Sequence, residues 1–293
     1  MNRVIYSLYI DIDEKELDFY DKNIIKKGQI GRNFFAKEQF KNNYNKLKVM
    51  QKSYADQNKC DYILFENDEK FKDFKTIFSE KYPYLTTYNI VNFYKLYLLY
   101  DLSKKYDEIL YLDFDAVPVT ADNFFEAWDL TKGICVYNNN AMINKMNMTI
   151  DKIAHGIRSP TSKFYNAQAM LIASGHNPKN DVINTGIIGA NKENILKLDF
   201  WGKFFDTMNL MTKLRTEGLD DLYPENIYKI FRYDNETIFS YKVEVNKIDI
   251  QWFDTKWHYF FDSQHFIPKE TKIVHAICKE FDTVWRYYEK YNF

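Results

Sequence analysis

Ile109-Leu110-Tyr111-Leu112-Asp113-Phe114-Asp115 decides how this chain is read. A short apolar, β-branched and aromatic run ends abruptly in two aspartates one residue apart. The polar stretch Lys104-Lys105-Tyr106-Asp107-Glu108 precedes it. That pattern predicts a buried strand. Side chains alternate faces along a strand, so Asp113 and Asp115 project together from its carboxyl end. In open α/β sheets that end is where ligands bind. Two adjacent carboxylates repel unless a cation lies between them. A hard divalent ion with oxygen ligands meets that need.

The surroundings fit an α/β pattern. Val4–Ile10 and Asp61–Phe65 read as strands. Between them Asn33 to about Asn58 reads as a helix, with Phe40, Tyr44, Leu47 and Tyr54 near one face. Tyr88–Tyr106 is apolar nearly all round, the mark of a buried helix, and Lys95 is its one interior cation. The alternation β-α-β-α-β predicts a mostly parallel central sheet with helices on both faces. Beyond Pro118, residues 137–181 are rich in Asn, Ser, Gly and Pro and read as an irregular, substrate-facing insertion. Val182–Ala190 reads as a strand interrupted at Asn184-Thr185-Gly186. Asn194–Met211 and Asn235–Tyr241 read as helices, and Ile248–Phe253 and Lys272–Ile277 as strands. The aromatic end at Trp285–Tyr291 reads as a docked helix. Neither repeats nor a Gly/Ser linker interrupt the 293 residues, so one domain is expected.

Composition removes some classes. The formal net charge is −1, which argues against bulk nucleic-acid affinity. Cys60, Cys135 and Cys278 are distant and odd in number, neither a disulfide framework nor a zinc site. A reducing compartment, the cytoplasm, follows as the expectation, with peripheral membrane contact as a second option. No apolar stretch is long enough for a transmembrane helix, and the sequons at Asn147 and Asn235 are then accidental. The 24 Tyr and 24 Phe serve core packing as readily as ligand stacking.

Lys95-Leu96-Tyr97 followed by Tyr106 to Pro118 resembles the core of GT-A glycosyltransferases, most of all families 8 and 32. Further blocks come in the family's order. Asn184-Thr185-Gly186-Ile187-Ile188 resembles its Asn-x-Gly strand, and Asp234-Asn235-Glu236 its acidic turn before a helix. Ile273-Val274-His275 resembles the strand that ends in a metal-binding histidine. Lys279 and Trp285 are similar to the block after it, without that block's Gly and Pro. The resemblance implies a single GT-A (Rossmann-like) domain over 1–293. Residues 1–118 would form its nucleotide-sugar half and 119–293 its acceptor half, the latter carrying the metal-ligand strand. It implies a retaining, metal-dependent transferase with a nucleotide-diphosphate sugar as donor, a UDP-sugar first among these. The acceptor would be a glycan, lipid-linked glycan or protein.

By the same resemblance Asp113, Asp115 and His275 bind the metal. Two carboxylates with an imidazole suit Mn²⁺ better than Mg²⁺. Tyr9, Asp11, Lys95, Asp113 and Lys279 would bind the donor, and Asn184, Asp234 and Glu236 would serve the transfer. Several have a plainer alternative: core packing for Tyr9 and His275, a snorkelling lysine for Lys95, a bulge for Asn184 and, for Asp234 and Glu236, helix capping by Asp234 or Asn235. His155, Arg158, Ser159 and Lys163 are further candidates for acceptor or phosphate contact. The rival class is a haloacid-dehalogenase-type phosphatase with Asp113 as nucleophile. Ala116 stands there in place of that class's glycine, and more than a hundred residues precede the motif. A non-catalytic sugar-nucleotide-binding protein is the other rival.

Overall fold

The computed structural model describes residues 1–13, 16, 32–143, 159–219, 232–262 and 266–291. Along the chain the elements run β1 (Arg3–Leu8), α1 (Arg32–Gln57), β2 (Asp61–Phe65), α2 (Glu69–Lys81), α3 (Thr87–Leu102), β3 (Glu108–Asp113), β4 (Ala116–Pro118) and α4 (Phe124–Ala127). There follow β5 (Ile134–Asn138), α5 (Ser159–Ala173), β6 (Ile183–Asn191), α6 (Lys192–Leu198), α7 (Phe204–Glu217), α8 (Asn235–Val245), β7 (Ile250–Trp252), β8 (Tyr259–Phe261), β9 (Ile273–Ala276) and α9 (Phe281–Tyr291). The fold is mixed α/β with a mostly parallel central sheet. Its residues group into two compact units. The first comprises Met1–Thr131, Gly186–Lys192 and Phe253–Phe293, and the second Lys132–Thr185 and Glu193–Trp252.

The first unit holds the parallel core. β1 pairs in parallel with β2 and β3, and Leu8 stands opposite Asp113 at the shared carboxyl end. β3 pairs antiparallel with β6, Leu112 opposite Ile187. Five of six residues of β3 are buried, as a strand flanked on both sides requires. α3 starts with a capping box, in which Thr86 Oγ1 accepts from the Asn89 N–H and Asn89 returns the bond to Thr86. Its all-round apolar surface is buried, including Phe93, Leu96, Leu98 and Leu99. A smaller sheet pairs β9 antiparallel with β4, His275 opposite Ala116, and parallel with β8. An apolar cluster of Leu47, Met50, Phe114, Val117, Val274, Phe281 and Trp285 packs beneath it.

The second unit pairs β5 with β7 in parallel, Ile134 opposite Ile250. Gly133 enters β5 at φ +142°, and a Cβ there would lie 2.3 Å from the Asp249 carbonyl oxygen, so only glycine fits. α5 packs against α8.

Three expectations are corrected here. The stretch 137–181 is not irregular throughout, because Ser159–Ala173 forms a helix. Pro160 in the first turn is a helix-start signal, and Ala167, Met170 and Leu171 bury one side. The helix expected over Asn194–Met211 is two helices. Asp199 and Lys203 adopt φ of 44° and 50° and break it, and a side chain on Gly202 would collide with Asp199. β6 runs unbroken through Gly186. His155, Arg158, the side chain of Ser159 and the sequon at Asn147 lie outside the described residues.

Candidate metal centre

The strand β3 ends at Asp113, and Phe114 and Asp115 form a turn into β4. Phe114 points into the apolar cluster, its ring 4.9 Å from Tyr9 and 5.6 Å from Tyr44. The two flanking aspartates are thereby turned the other way. Gln51, fully buried on α1, fixes this turn. Its amide donates to the carbonyls of Asp113 (3.1 Å) and Ala116 (3.0 Å), and its oxygen accepts from Ser7 (2.7 Å) and Tyr62 (3.0 Å). All four hydrogen-bonding positions of the amide are used.

β9 brings the third member. Register with β4 puts His275 opposite Ala116, and the Ala276 N–H donates to the Asp115 carbonyl at 2.9 Å. His275 Nε2 then lies 3.7 Å from Asp113 Oδ2 and 3.5 Å from Asp115 Oδ2. One ligand atom from each of Asp113, Asp115 and His275 falls within 4.8 Å of the others. Asp115 and His275 are 6% and 7% exposed at the side chain and Asp113 28%, so the cluster is buried on one side and open on the other.

The electrostatics are those of a charge trap. Burial works to raise the Asp115 carboxyl, but the Lys279 ammonium and His275 outweigh it and hold it well below the ordinary carboxylate range. Lys279 Nζ donates to Asp115 Oδ2. Lys95 Nζ lies 3.4 Å from Asp113 Oδ1, which also accepts from the Tyr111 hydroxyl at 2.5 Å. Burial, then the Asp113 charge, pushes the Tyr111 phenol well above its usual value, so it stays a donor. Behind His275, the buried His258 ring places Nε2 2.9 Å from His275 Nδ1. Burial first, then His275, pushes the His258 imidazole well below its ordinary value.

The donor set fits a divalent ion. Ligands about 2.1 Å from one ion stand about 3 Å apart when adjacent and about 4.2 Å apart when opposite, and the observed separations need only small shifts to match. Two carboxylates with one imidazole suit Mn²⁺ or Mg²⁺ better than a thiolate-seeking metal.

The remaining expected residues fall as follows. Lys95 and Lys279 stand at the aspartates. Tyr9 is packed among Phe40, Tyr44 and Phe114, and burial, then Asp11 and Glu66, push its phenol up to about 12. Asp11 is half exposed and pairs with Lys37 at 3.0 Å. In the second unit Asp234 caps α8, accepting from the N–H groups of Glu236 (2.8 Å) and Thr237 (3.3 Å). Glu236 accepts from Thr185 N–H (2.8 Å) and Oγ1 (3.1 Å), beside Asn184 on β6. Lys163 donates to Glu236 and lies 3.6 Å from Asp234. Sequence reasoning missed Gln51 and His258. A lone glutamine on a helix and a lone histidine before a short strand carry no pattern.

No protein-family model matches this sequence, and no curated protein matches it. Several solved structures are similar in three dimensions. A glycosyltransferase involved in glycosylation of the major capsid of PBCV-1 is 12% identical with a TM-score of 0.43, over 100% of this chain and 99% of that one. The galactosyltransferase LgtC, in complex with donor and acceptor sugar analogues, is 10% identical with a TM-score of 0.45, over 99% and 95%. Mouse xyloside xylosyltransferase 1 is 10% identical with a TM-score of 0.46, over 95% and 98%. At such scores an activity has to be argued from the site itself.

Proposed function

We propose that this protein is a metal-dependent glycosyltransferase of the GT-A type, moving a sugar from a nucleotide-diphosphate donor to a hydroxylated acceptor. The observation that carries this reading is the convergence of Asp113, Asp115 and His275 at the carboxyl end of β3. The sequence resemblance supports the donor class, with a UDP-sugar as first choice and Mn²⁺ as the preferred ion.

A divalent ion held by Asp113, Asp115 and His275 would neutralise the diphosphate as the bond to the sugar breaks. Asp113, the more exposed carboxylate, is suited to reach a ribose hydroxyl as well. Lys95 and Lys279 stand at the same carboxylates and can turn to phosphate oxygens once these arrive. Tyr9 and Asp11, at the end of β1, are proposed for the base. Asn184, Asp234 and Glu236 are proposed for the acceptor side, with Lys163 balancing the two carboxylates. No side chain is proposed as a covalent nucleophile. The acceptor hydroxyl attacks from the leaving group's own face, the departing phosphate takes its proton, and the anomeric configuration is retained. Residues 1–118 and 119–293 act as the donor and acceptor halves of one domain. The phosphatase reading has no use for His275 beside the two aspartates.

A donor screen tests this. Nucleotide release is measured from a panel of nucleotide sugars with Mn²⁺, Mg²⁺ or EDTA. Metal-dependent release from one donor class is expected, with a retained product anomer by NMR. Hydrolysis of an aryl phosphate that is lost in Asp113→Asn would overturn the proposal.

A further inference from the structure

We infer that His258 is a positioning residue that sets which nitrogen of His275 carries the proton, and so whether the Nε2 facing the aspartates is open to an ion, an inference that rests on the metal reading above. His258 follows a turn in which Asp254 accepts from the N–H groups of Lys256 (2.9 Å) and Trp257 (3.0 Å), while the His258 N–H reaches the Asp254 carbonyl (3.1 Å). The Lys256 carbonyl then accepts from Lys272 at 2.7 Å, joining this turn to the start of β9. The His258 ring is fully buried and stacked on Phe260, centroids 4.5 Å apart and planes 21° apart. Phe253 closes the other approach at 6.4 Å. A phenylalanine would fill this aromatic slot without burying polar nitrogens, which is costly unless they are bonded. What the imidazole adds is Nε2, placed 2.9 Å from His275 Nδ1.

That bond holds one proton, and its owner decides what His275 can do. If the proton is on His275 Nδ1, it is donated to His258, and the Nε2 lone pair faces Asp113 and Asp115, open to an ion. If the proton is on His258, neutral His275 carries its own on Nε2, aimed at carboxylates that accept it readily, and the ligand position is blocked. The carboxylates alone favour the blocked form. An acceptor at His258 Nε2 offsets them by giving Nδ1–H a buried partner. Metal-bound histidines are generally oriented this way by the group behind them, and loss of that group lowers metal affinity about 10- to 100-fold.

The test measures Mn²⁺ affinity on the full chain, by electron paramagnetic resonance of free Mn²⁺, for wild type, His258→Phe, His258→Gln and His275→Ala. Gln places an acceptor where Nε2 stood and Phe does not. His258→Phe is expected to bind about 10- to 100-fold more weakly, His258→Gln within a few-fold of wild type, and His275→Ala at least as weakly as His258→Phe. A folded His258→Phe that binds like wild type, with His275→Ala impaired, overturns this inference and leaves the metal reading standing. If wild type ignores Mn²⁺, or His275→Ala binds like wild type, the metal reading falls and takes the inference with it. A second measurement needs no variant. Long-range ¹⁵N–¹H NMR of the metal-free wild type should show Nδ1–H on His275 and a bare Nε2 on His258, and the reverse pattern overturns the inference.

Discussion

Two places among the described residues set a pair of carboxylates beside a lysine, and they are built differently. In the first unit the partners of Asp113 and Asp115 are side chains: Tyr111, Lys95, His275 and Lys279. In the second unit Asp234 and Glu236 accept from backbone N–H groups of α8 and β6, as well as from Thr185 and Lys163. A backbone donor cannot turn away without unwinding its element, whereas a lysine on a flexible stem can. On the proposed metal reading, the first pair would exchange partners for an incoming ion. The second is tied into secondary structure, whatever further part it takes in transfer.

The largest effect that sharpens this contrast should come from Asp115→Ala. It is expected to abolish transfer and Mn²⁺-dependent nucleotide binding together, with the circular dichroism spectrum unchanged. Nucleotide binding that persists undiminished with Mn²⁺ would break the comparison from the first side. Glu236→Ala should act in the opposite sense. It removes the acceptor of the Thr185 N–H and Oγ1 and the nearer of the two carboxylates at Lys163, and should cost about 3 kcal/mol of stability, read from urea unfolding, with Mn²⁺ affinity retained. An unchanged unfolding midpoint would break it from the second side.

Gln51→Leu comes next. It removes the two donors that hold the turn between Asp113 and Ala116 and leaves both carbonyls buried. A loss of about 1–3 kcal/mol is expected, with a weaker metal site, and calorimetric titration with Mn²⁺ reads the second effect. The smallest effect concerns pH. The folded-state value of Asp115 is lowered, so its contribution to stability is full above the unfolded value of about 3.9 and fades as pH falls through the lower folded value. In EDTA, wild type should lose stability below about pH 4 more steeply than Asp115→Asn. Parallel curves would mean that the lysine and histidine beside Asp115 contribute nothing to folding.

The same contrast explains what the sequence made legible. The aspartate pair announced itself because a buried strand and a charged end are local patterns, readable within a dozen residues. Tyr88–Tyr106 was readable for the same reason. His275 was reachable only through the resemblance and the order of blocks, since its partners lie far away along the chain. Gln51 and His258 were not legible at all as parts of these clusters, and Lys163 was read only as a candidate for acceptor or phosphate contact, not as the partner of Glu236. Each works through hydrogen bonds to distant positions, 62 residues away for Gln51 and Asp113 and 73 for Lys163 and Glu236. α5 was hidden because its Ser-, Thr- and Asn-containing start looks like loop, although its later residues bury an apolar side. The break at Asp199–Lys203 was hidden because apolar periodicity does not register two residues with positive φ.

The pairing of β9 with β4 has a consequence for the order of events during synthesis. Asp115 and Lys279 are 164 residues apart. At a ribosomal pace of about 5–20 residues per second, the aspartates are made roughly 10–30 seconds before His275 and Lys279. Through that interval Asp115 lacks its histidine and lysine, whereas Lys95 and Tyr111, the partners of Asp113, are already made. On the metal reading proposed above, the site would be complete only once β9 pairs with β4, so a bound divalent ion would act as a check that the C-terminal region has been made and folded.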